Sequence, residues 1–216
     1  MRAEILKIHS ENPEASLVKY AADQIRSGEV LGMPTDTFYG LAADPFNLRA
    51  VDRVYDIKTR SRHKPLSLLI ESTDQAEELA KDLSDEFYSL SRKFWPGPLT
   101  IIVKAGSRLP LKVTANTGNV ALRVPNAKIP LAVVTAAAIP ITATSANLSG
   151  ASECTSAEQV RDQLEGRINI IVDGGSSPRD VASTIIDLSG DDGHWRIIRE
   201  GAIPSDEISK FLEQEG

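Results

Sequence analysis

The chain has 216 residues, a net charge of −6 and a pI near 5.2, which argues against a domain whose main work is gripping nucleic-acid phosphates. Its hydrophobic content of 41% is enough for a core without staples, and a single cysteine, Cys154, excludes an internal disulfide. The opening MRAEILKIHS lacks the apolar segment of a secretion signal, and the most apolar stretch, IPLAVVTAAAIPITA, is cut by Pro130 and Pro140, so a cytoplasmic protein with no membrane span is expected.

Glu4 to Ile8 reads as a strand. Asn12-Pro13 predicts an N-cap followed by proline at the first helical position, with Leu17, Val18, Ala21, Ala22 and Ile25 at helical spacing and Gly28 as the stop. Val30 to Met33 is a strand. Asn47 to Ile57 is a helix burying Ala50, Val51, Val54 and Tyr55, and Leu66 to Ile70 is a strand. Ser72 and Ser84 predict caps for two more helices, the second running into Phe94-Trp95. Leu99 to Lys104, Val120 to Val124 and Ile141 to Thr144 are strands, with a helix from Ile129 to Ala138 between the last two. Thr155 predicts the cap of a helix ending at Leu164. Ile168 to Val172, Ser183 to Asp187 and Trp195 to Ile198 read as closing strands, and Ser205 to Glu213 as the last helix. Helices and strands alternate throughout, with no repeat and no convincing linker. The expectation is one α/β domain over residues 1–216, built on an open, twisted mixed sheet with flanking helices.

The common phosphate loops are absent: neither GxxxxGK[ST] nor G-x-G-x-x-G occurs. The three histidines lie far apart, and no Cys/His cluster has zinc spacing, so no protein-held metal is expected. Four stretches draw attention instead. Pro34-Thr35-Asp36-Thr37-Phe38-Tyr39-Gly40-Leu41 follows a strand and has the composition of a forced turn. Lys58-Thr59-Arg60-Ser61-Arg62-His63-Lys64 sets five basic-type side chains within seven residues of an acidic chain, which suits an anion cradle as well as a solvated loop. Thr142-Ala143-Thr144-Ser145-Ala146-Asn147-Leu148-Ser149-Gly150 is a strand end running into hydroxyl and amide side chains, where α/β sheets favour ligands. Trp95-Pro96-Gly97-Pro98-Leu99-Thr100 reads as structural.

With Arg123-Val124-Pro125 and Ser183-Thr184-Ile185-Ile186-Asp187-Leu188, these blocks occur in the order of the YrdC domain family. The chain resembles its short, single-domain threonylcarbamoyl-AMP synthases from about residue 12 to residue 203. The resemblance implies a large concave electropositive cavity. It also implies synthesis of threonylcarbamoyl-AMP and pyrophosphate from L-threonine, bicarbonate and ATP, with Mg²⁺ accompanying the nucleotide. A downstream transfer enzyme would carry the group to adenosine 37 of tRNA, with weak or no direct tRNA binding by this chain.

Residue by residue, the resemblance implies that Lys58, Arg60, Ser145 and Asn147 serve the reaction. Thr37, Arg123 and Ser183 would meet L-threonine. Arg60, Lys64, Asn119, Ser145 and Arg199 would meet ATP, while Asp36 and Thr35 brace the turn. Four positions depart from the family pattern: Met33, Leu41-Ala42-Ala43, Ser61 and Glu153, the last setting a negative charge near the expected ATP. Two rivals are a diverged paralogue of the same fold and a non-catalytic RNA-binding module. The acidic balance and the lack of a basic-aromatic run speak against the second.

Overall fold

Several strands of this chain are buried on both faces, so they read as apolar runs rather than alternations. The computed structural model describes residues 3–178, 180–191 and 193–215. Its elements run β1 (Glu4–Lys7), α1 (Ala15–Arg26), β2 (Leu31–Met33), β3 (Gly40–Ala42), α2 (Leu48–Lys58), β4 (Ser67–Leu69), α3 (Thr73–Leu79), α4 (Asp85–Phe94) and β5 (Leu99–Lys104). They continue β6 (Asn119–Arg123), α5 (Lys128–Ala137), β7 (Ile141–Thr142), β8 (Thr144–Ser145), α6 (Ala157–Leu164), β9 (Ile170–Asp173), β10 (Thr184–Asp187), β11 (Arg196–Arg199) and α7 (Ser205–Glu215).

The mixed α/β class is as expected, but the strands form two sheets rather than one. Five strands take the order β1-β9-β2-β3-β8 and six the order β11-β10-β5-β6-β4-β7. The segment read as a single strand from Ile141 to Thr144 is split between them. Thr142 and Ile141 pair with Leu68 and Leu69 of β4, while Thr144 and Ser145 pair with Leu41 and Gly40 of β3. Ala143 is thus the crossing point from one sheet to the other. The strand β3 itself escaped the sequence reading, because three residues after a turn are too few to show a period.

Two apolar clusters hold the layers. One packs α1 on α5 through Val18, Ala21, Ile25, Ile129, Val133 and Val134. The larger one gathers Val51, Val54, Leu68, Phe87, Leu90, Ile101 and Leu122 between the six-stranded sheet and its helices. Two helix starts differ from expectation. α1 begins at Ala15 with Glu14 as its cap residue, because the Glu14 carboxylate instead accepts from the His9 N–H at 3.0 Å while His9 Nδ1 accepts from the Glu11 and Asn12 N–H groups. In α6 the cap is Ser156, whose Oγ accepts from the Gln159 N–H at 3.3 Å, and Thr155 stands one residue outside. Ser72 caps α3 as expected, and Asn47, read as the first residue of a helix, is the cap of α2; Ser84 is the cap residue of α4, without a side-chain hydrogen bond at that position.

Candidate active site

A cavity of about 380 Å³ draws its walls from both sheets, a size ordinary for a small-molecule site. Gly40, Thr144 and Ser145 come from the five-stranded sheet; Leu68, Thr100, Arg123 and Arg199 come from the six-stranded one. The crossing at Ala143 lets one short segment serve both walls. The lining cations are Arg60, Lys64, Arg123 and Arg199, against one lining acid, Glu153.

Seven of the residues singled out from the sequence line this space: Thr37, Arg60, Lys64, Arg123, Ser145, Ser183 and Arg199. Lys58, Asn147 and Asn119 do not. Asn119 opens β6, at the opposite end of that strand from Arg123, and its N–H donates to Thr117 Oγ1 at 3.3 Å.

The first cluster is built on the turn after β2. Thr35 Oγ1 donates to the Phe38 carbonyl at 2.7 Å and accepts from the Thr37 N–H at 3.1 Å, closing a hydroxyl turn. Thr35 therefore braces the turn as expected. Asp36 reaches further: its Oδ1 accepts from Arg123 Nη2 at 2.5 Å, with the two side chains 6% and 8% exposed. Arg123 also donates from Nη1 to Thr37 Oγ1 at 3.0 Å and from Nε to the Gly97 carbonyl at 2.9 Å. The guanidinium plane is fixed on three sides. Gly97 can approach this closely only without a side chain, since a Cβ there would sit 2.3 Å from the Phe94 carbonyl oxygen. The Trp95-Pro96-Gly97 block is structural as expected, but part of what it supports is Arg123.

The second cluster joins the end of α2 to the loop after β8. Thr59 adopts a left-handed conformation (φ 52°) that ends the helix directly after Lys58. The Lys58 ammonium turns inward and donates to the Ser145 carbonyl, to the Asn147 carbonyl at 2.9 Å and to Asn147 Oδ1 at 3.0 Å. Ser145 Oγ donates to the same Oδ1 at 2.6 Å, and Asn147 Nδ2 donates to the Ala151 carbonyl at 2.6 Å. Three donors meet three neutral oxygens, so Lys58 stands behind Ser145 and fixes its loop. Burial, reinforced by the charge of Arg60, lowers the Lys58 pKa to about 8, while Glu153 and Cys154 pull it upward. Arg60 Nη2 donates to the Pro65 carbonyl at 3.0 Å, and burial lowers the Arg60 pKa as well.

The third cluster joins Ser183 and Arg199, both expected from the sequence, to Thr100, which was not. Thr100 Oγ1 and Ser183 Oγ share a 2.9 Å hydrogen bond, both residues buried and both lining the cavity. Arg199 Nη2 donates to the Ser183 carbonyl at 2.8 Å and to Ser183 Oγ at 3.3 Å. A Cβ on Gly201 would lie 2.3 Å from the Ala182 carbonyl oxygen, so glycine allows the chain after Arg199 to lie against Ser183. Tyr39 also lines the wall. Its hydroxyl donates to the Gly175 carbonyl at 2.6 Å, and burial pushes its pKa up to about 12, which makes it a fixed donor rather than a base. No motif in the sequence pointed to Thr100 or Tyr39 as wall residues; both sit in blocks whose composition says turn or strand.

Fold and site together define an α/β domain with a cation-lined cavity suited to small anionic ligands. The chain belongs to the Sua5/YciO/YrdC family, whose model, described as telomere recombination, matches residues 23–201. It is 37% identical over 204 residues to a threonylcarbamoyl-AMP synthase of Pyrococcus abyssi, covering 94% of this chain and 59% of that protein. It is 38% identical over 196 residues to that of Bacillus subtilis, covering 90% and 56%. The crystal structure of P. abyssi Sua5 complexed with L-threonine matches with a TM-score of 0.92 at 36% identity, over 96% of this chain and 60% of that one. The chain thus spans between 56% and 60% of the length of these relatives. Among the described residues no helix is long and apolar enough to cross a membrane, and no group of three or more His, Cys, Asp or Glu could hold a metal ion.

Proposed function

We propose that this domain is an L-threonylcarbamoyladenylate synthase, a nucleotidyltransferase acting as one domain over residues 1–216. It takes L-threonine, bicarbonate and ATP and yields threonylcarbamoyl-AMP and pyrophosphate, for a partner enzyme that completes the modification of adenosine 37 in tRNA. The observation that carries the reading is the fixed, buried Arg123 facing the same cavity as Arg60 and Arg199. Such a site suits a carboxylate and a polyphosphate held together. The names of the relatives, one of them solved with L-threonine, supply the chemistry.

Carboxylation of the threonine amine gives a carbamate, and a carbamate oxygen displaces pyrophosphate from the α-phosphorus of ATP. Two anions must meet, so positioning and charge neutralisation dominate over any nucleophilic side chain. Arg123, with Thr37 and Ser183, takes the threonine carboxylate and hydroxyl. Arg60, Lys64, Ser145 and Arg199 take the nucleotide. Lys58 and Asn147 hold Ser145 in place rather than touching phosphate, and Asn119, outside the cavity lining, takes no part in this reading. Mg²⁺ enters as part of the substrate, held chiefly by the nucleotide phosphates and water.

The reading is tested by supplying ATP, bicarbonate and L-threonine to purified protein, omitting threonine as control, and weighing the nucleotide product. Threonine-dependent pyrophosphate with threonylcarbamoyl-AMP is the expected result. Folded protein that binds ATP without forming product would point to the diverged paralogue, and one that binds only RNA to the binding module.

A further inference from the structure

Glu153 is the one carboxylate among the cavity-lining residues, and its backbone is held on both sides. Before it, Asn147 Nδ2 donates to the Ala151 carbonyl at 2.6 Å and Gln163 Nε2 to the Ser152 carbonyl at 2.8 Å. After it, the Cys154 carbonyl accepts from the Tyr39 N–H at 2.8 Å, and the Cys154 side chain is wholly buried. Those anchors fix the residue between Ser152 and Cys154 and leave its side chain to the cavity. No hydrogen bond or ion pair is made by the Glu153 carboxylate among the described residues. Glu153 lines the same cavity as Ser145 and Arg60.

An unpaired carboxylate beside a polyphosphate site opposes a bare nucleotide, because like charges in a partly desolvated cavity repel strongly. A divalent cation between them reverses the sign. Mg²⁺ is ordinarily held by one or two carboxylates together with substrate phosphates, with water completing its octahedron. One carboxylate lies within the range that such a nucleotide-borne ion takes from a protein.

We propose that Glu153 faces the magnesium ion of the incoming nucleotide and makes the site select Mg·ATP over metal-free ATP. The proposal rests on the reading of this cavity as an ATP site. Its test is calorimetric titration of ATP, with threonine omitted, in excess Mg²⁺ and in a chelator. Wild-type protein is expected to bind Mg·ATP about tenfold tighter than free ATP. Glu153→Gln is expected to lose most of that preference, chiefly because free ATP binds it better, and Glu153→Asp, which keeps the charge, to retain part of it. An equal preference in wild type and Glu153→Gln overturns the proposal, while threonine-dependent pyrophosphate from the same wild-type preparation leaves the synthase reading intact. Wild-type protein that binds ATP in neither condition overturns both. Glu153 has no hydrogen bond to lose, so the glutamine variant keeps its fold, which its unfolding midpoint checks.

Discussion

Arg123 and Lys58 are buried cations serving one cavity, and they are kept charged by opposite means. Arg123 is paired with a buried carboxylate, Asp36, and also donates to a hydroxyl and a carbonyl. Lys58 is held by three neutral oxygens of the loop it organises. The guanidinium is charged at any relevant pH, and the paired carboxylate offsets the cost of burying it. The ammonium lacks that compensation, so its proton is held weakly, with a pKa of about 8. The pairing also leaves Asp36 Oδ2 buried without a hydrogen-bond partner among the described residues. A buried oxygen left in that state is a cost, and what it secures is a guanidinium fixed in position and charge.

The comparison breaks most visibly at Arg123. Arg123→Ala strands Asp36 as an uncompensated buried charge, so unfolding in urea should show a loss of about 3–5 kcal/mol together with loss of turnover. Removing both, in Arg123→Ala with Asp36→Ala, should restore part of the stability and none of the activity. A single variant as stable as wild type would show that the pair is not desolvated.

Lys58→Met keeps the volume and removes the three donors. Turnover should fall by up to about 10²–10³, the scale of losing one preorganised donor, here Ser145 displaced with its loop, with a stability loss of about 1–3 kcal/mol from stranded loop oxygens. Unchanged kinetics would remove Lys58 from the machinery.

The pH response sharpens the contrast further. The folded pKa of Lys58, about 8, lies below its ordinary value of 10.5, so between these values the unfolded chain binds more protons than the folded one. Raising pH through that window should therefore favour the folded state at this group, while the neutral amine can no longer supply three donors to Ser145 and Asn147. The ATP KM should rise above about pH 8 while the threonine KM, set by Arg123, stays flat. A threonine KM that tracks pH alone would reverse the assignment. The smallest effect belongs to Cys154, a buried thiol pushed up to about 11 by burial and so neutral throughout this range. Cys154→Ser should leave turnover unchanged and cost about 1–3 kcal/mol for a buried hydroxyl.

Much of this was legible in the residues. Helices such as α2 and α4 announce themselves by spacing and cap, and β5 by its apolar run, because their patterns are local. The division into two sheets was not legible, since it turns on Ala143, a single residue between two-residue strands whose partners lie about seventy and about a hundred positions earlier. At the site, Thr37, Arg60, Ser145 and Arg123 stood in recognisable blocks. The pairing of Asp36 with Arg123 and of Thr100 with Ser183 joins residues more than eighty positions apart, and only the folded chain brings them together. Lys58 illustrates the remaining gap: a basic residue in an anion-binding stretch reads as a phosphate contact, whereas its ammonium is consumed by the loop.

In the proposed synthase, one cavity holds the amino acid beside Thr37 and Arg123 and the nucleotide beside Ser145. Binding of L-threonine and of Mg·ATP, each measured calorimetrically in Thr37→Val and in Ser145→Ala, tests it directly. Thr37→Val should weaken threonine binding and spare ATP, and Ser145→Ala should do the reverse. Loss of ATP binding in Thr37→Val with threonine binding intact would contradict it.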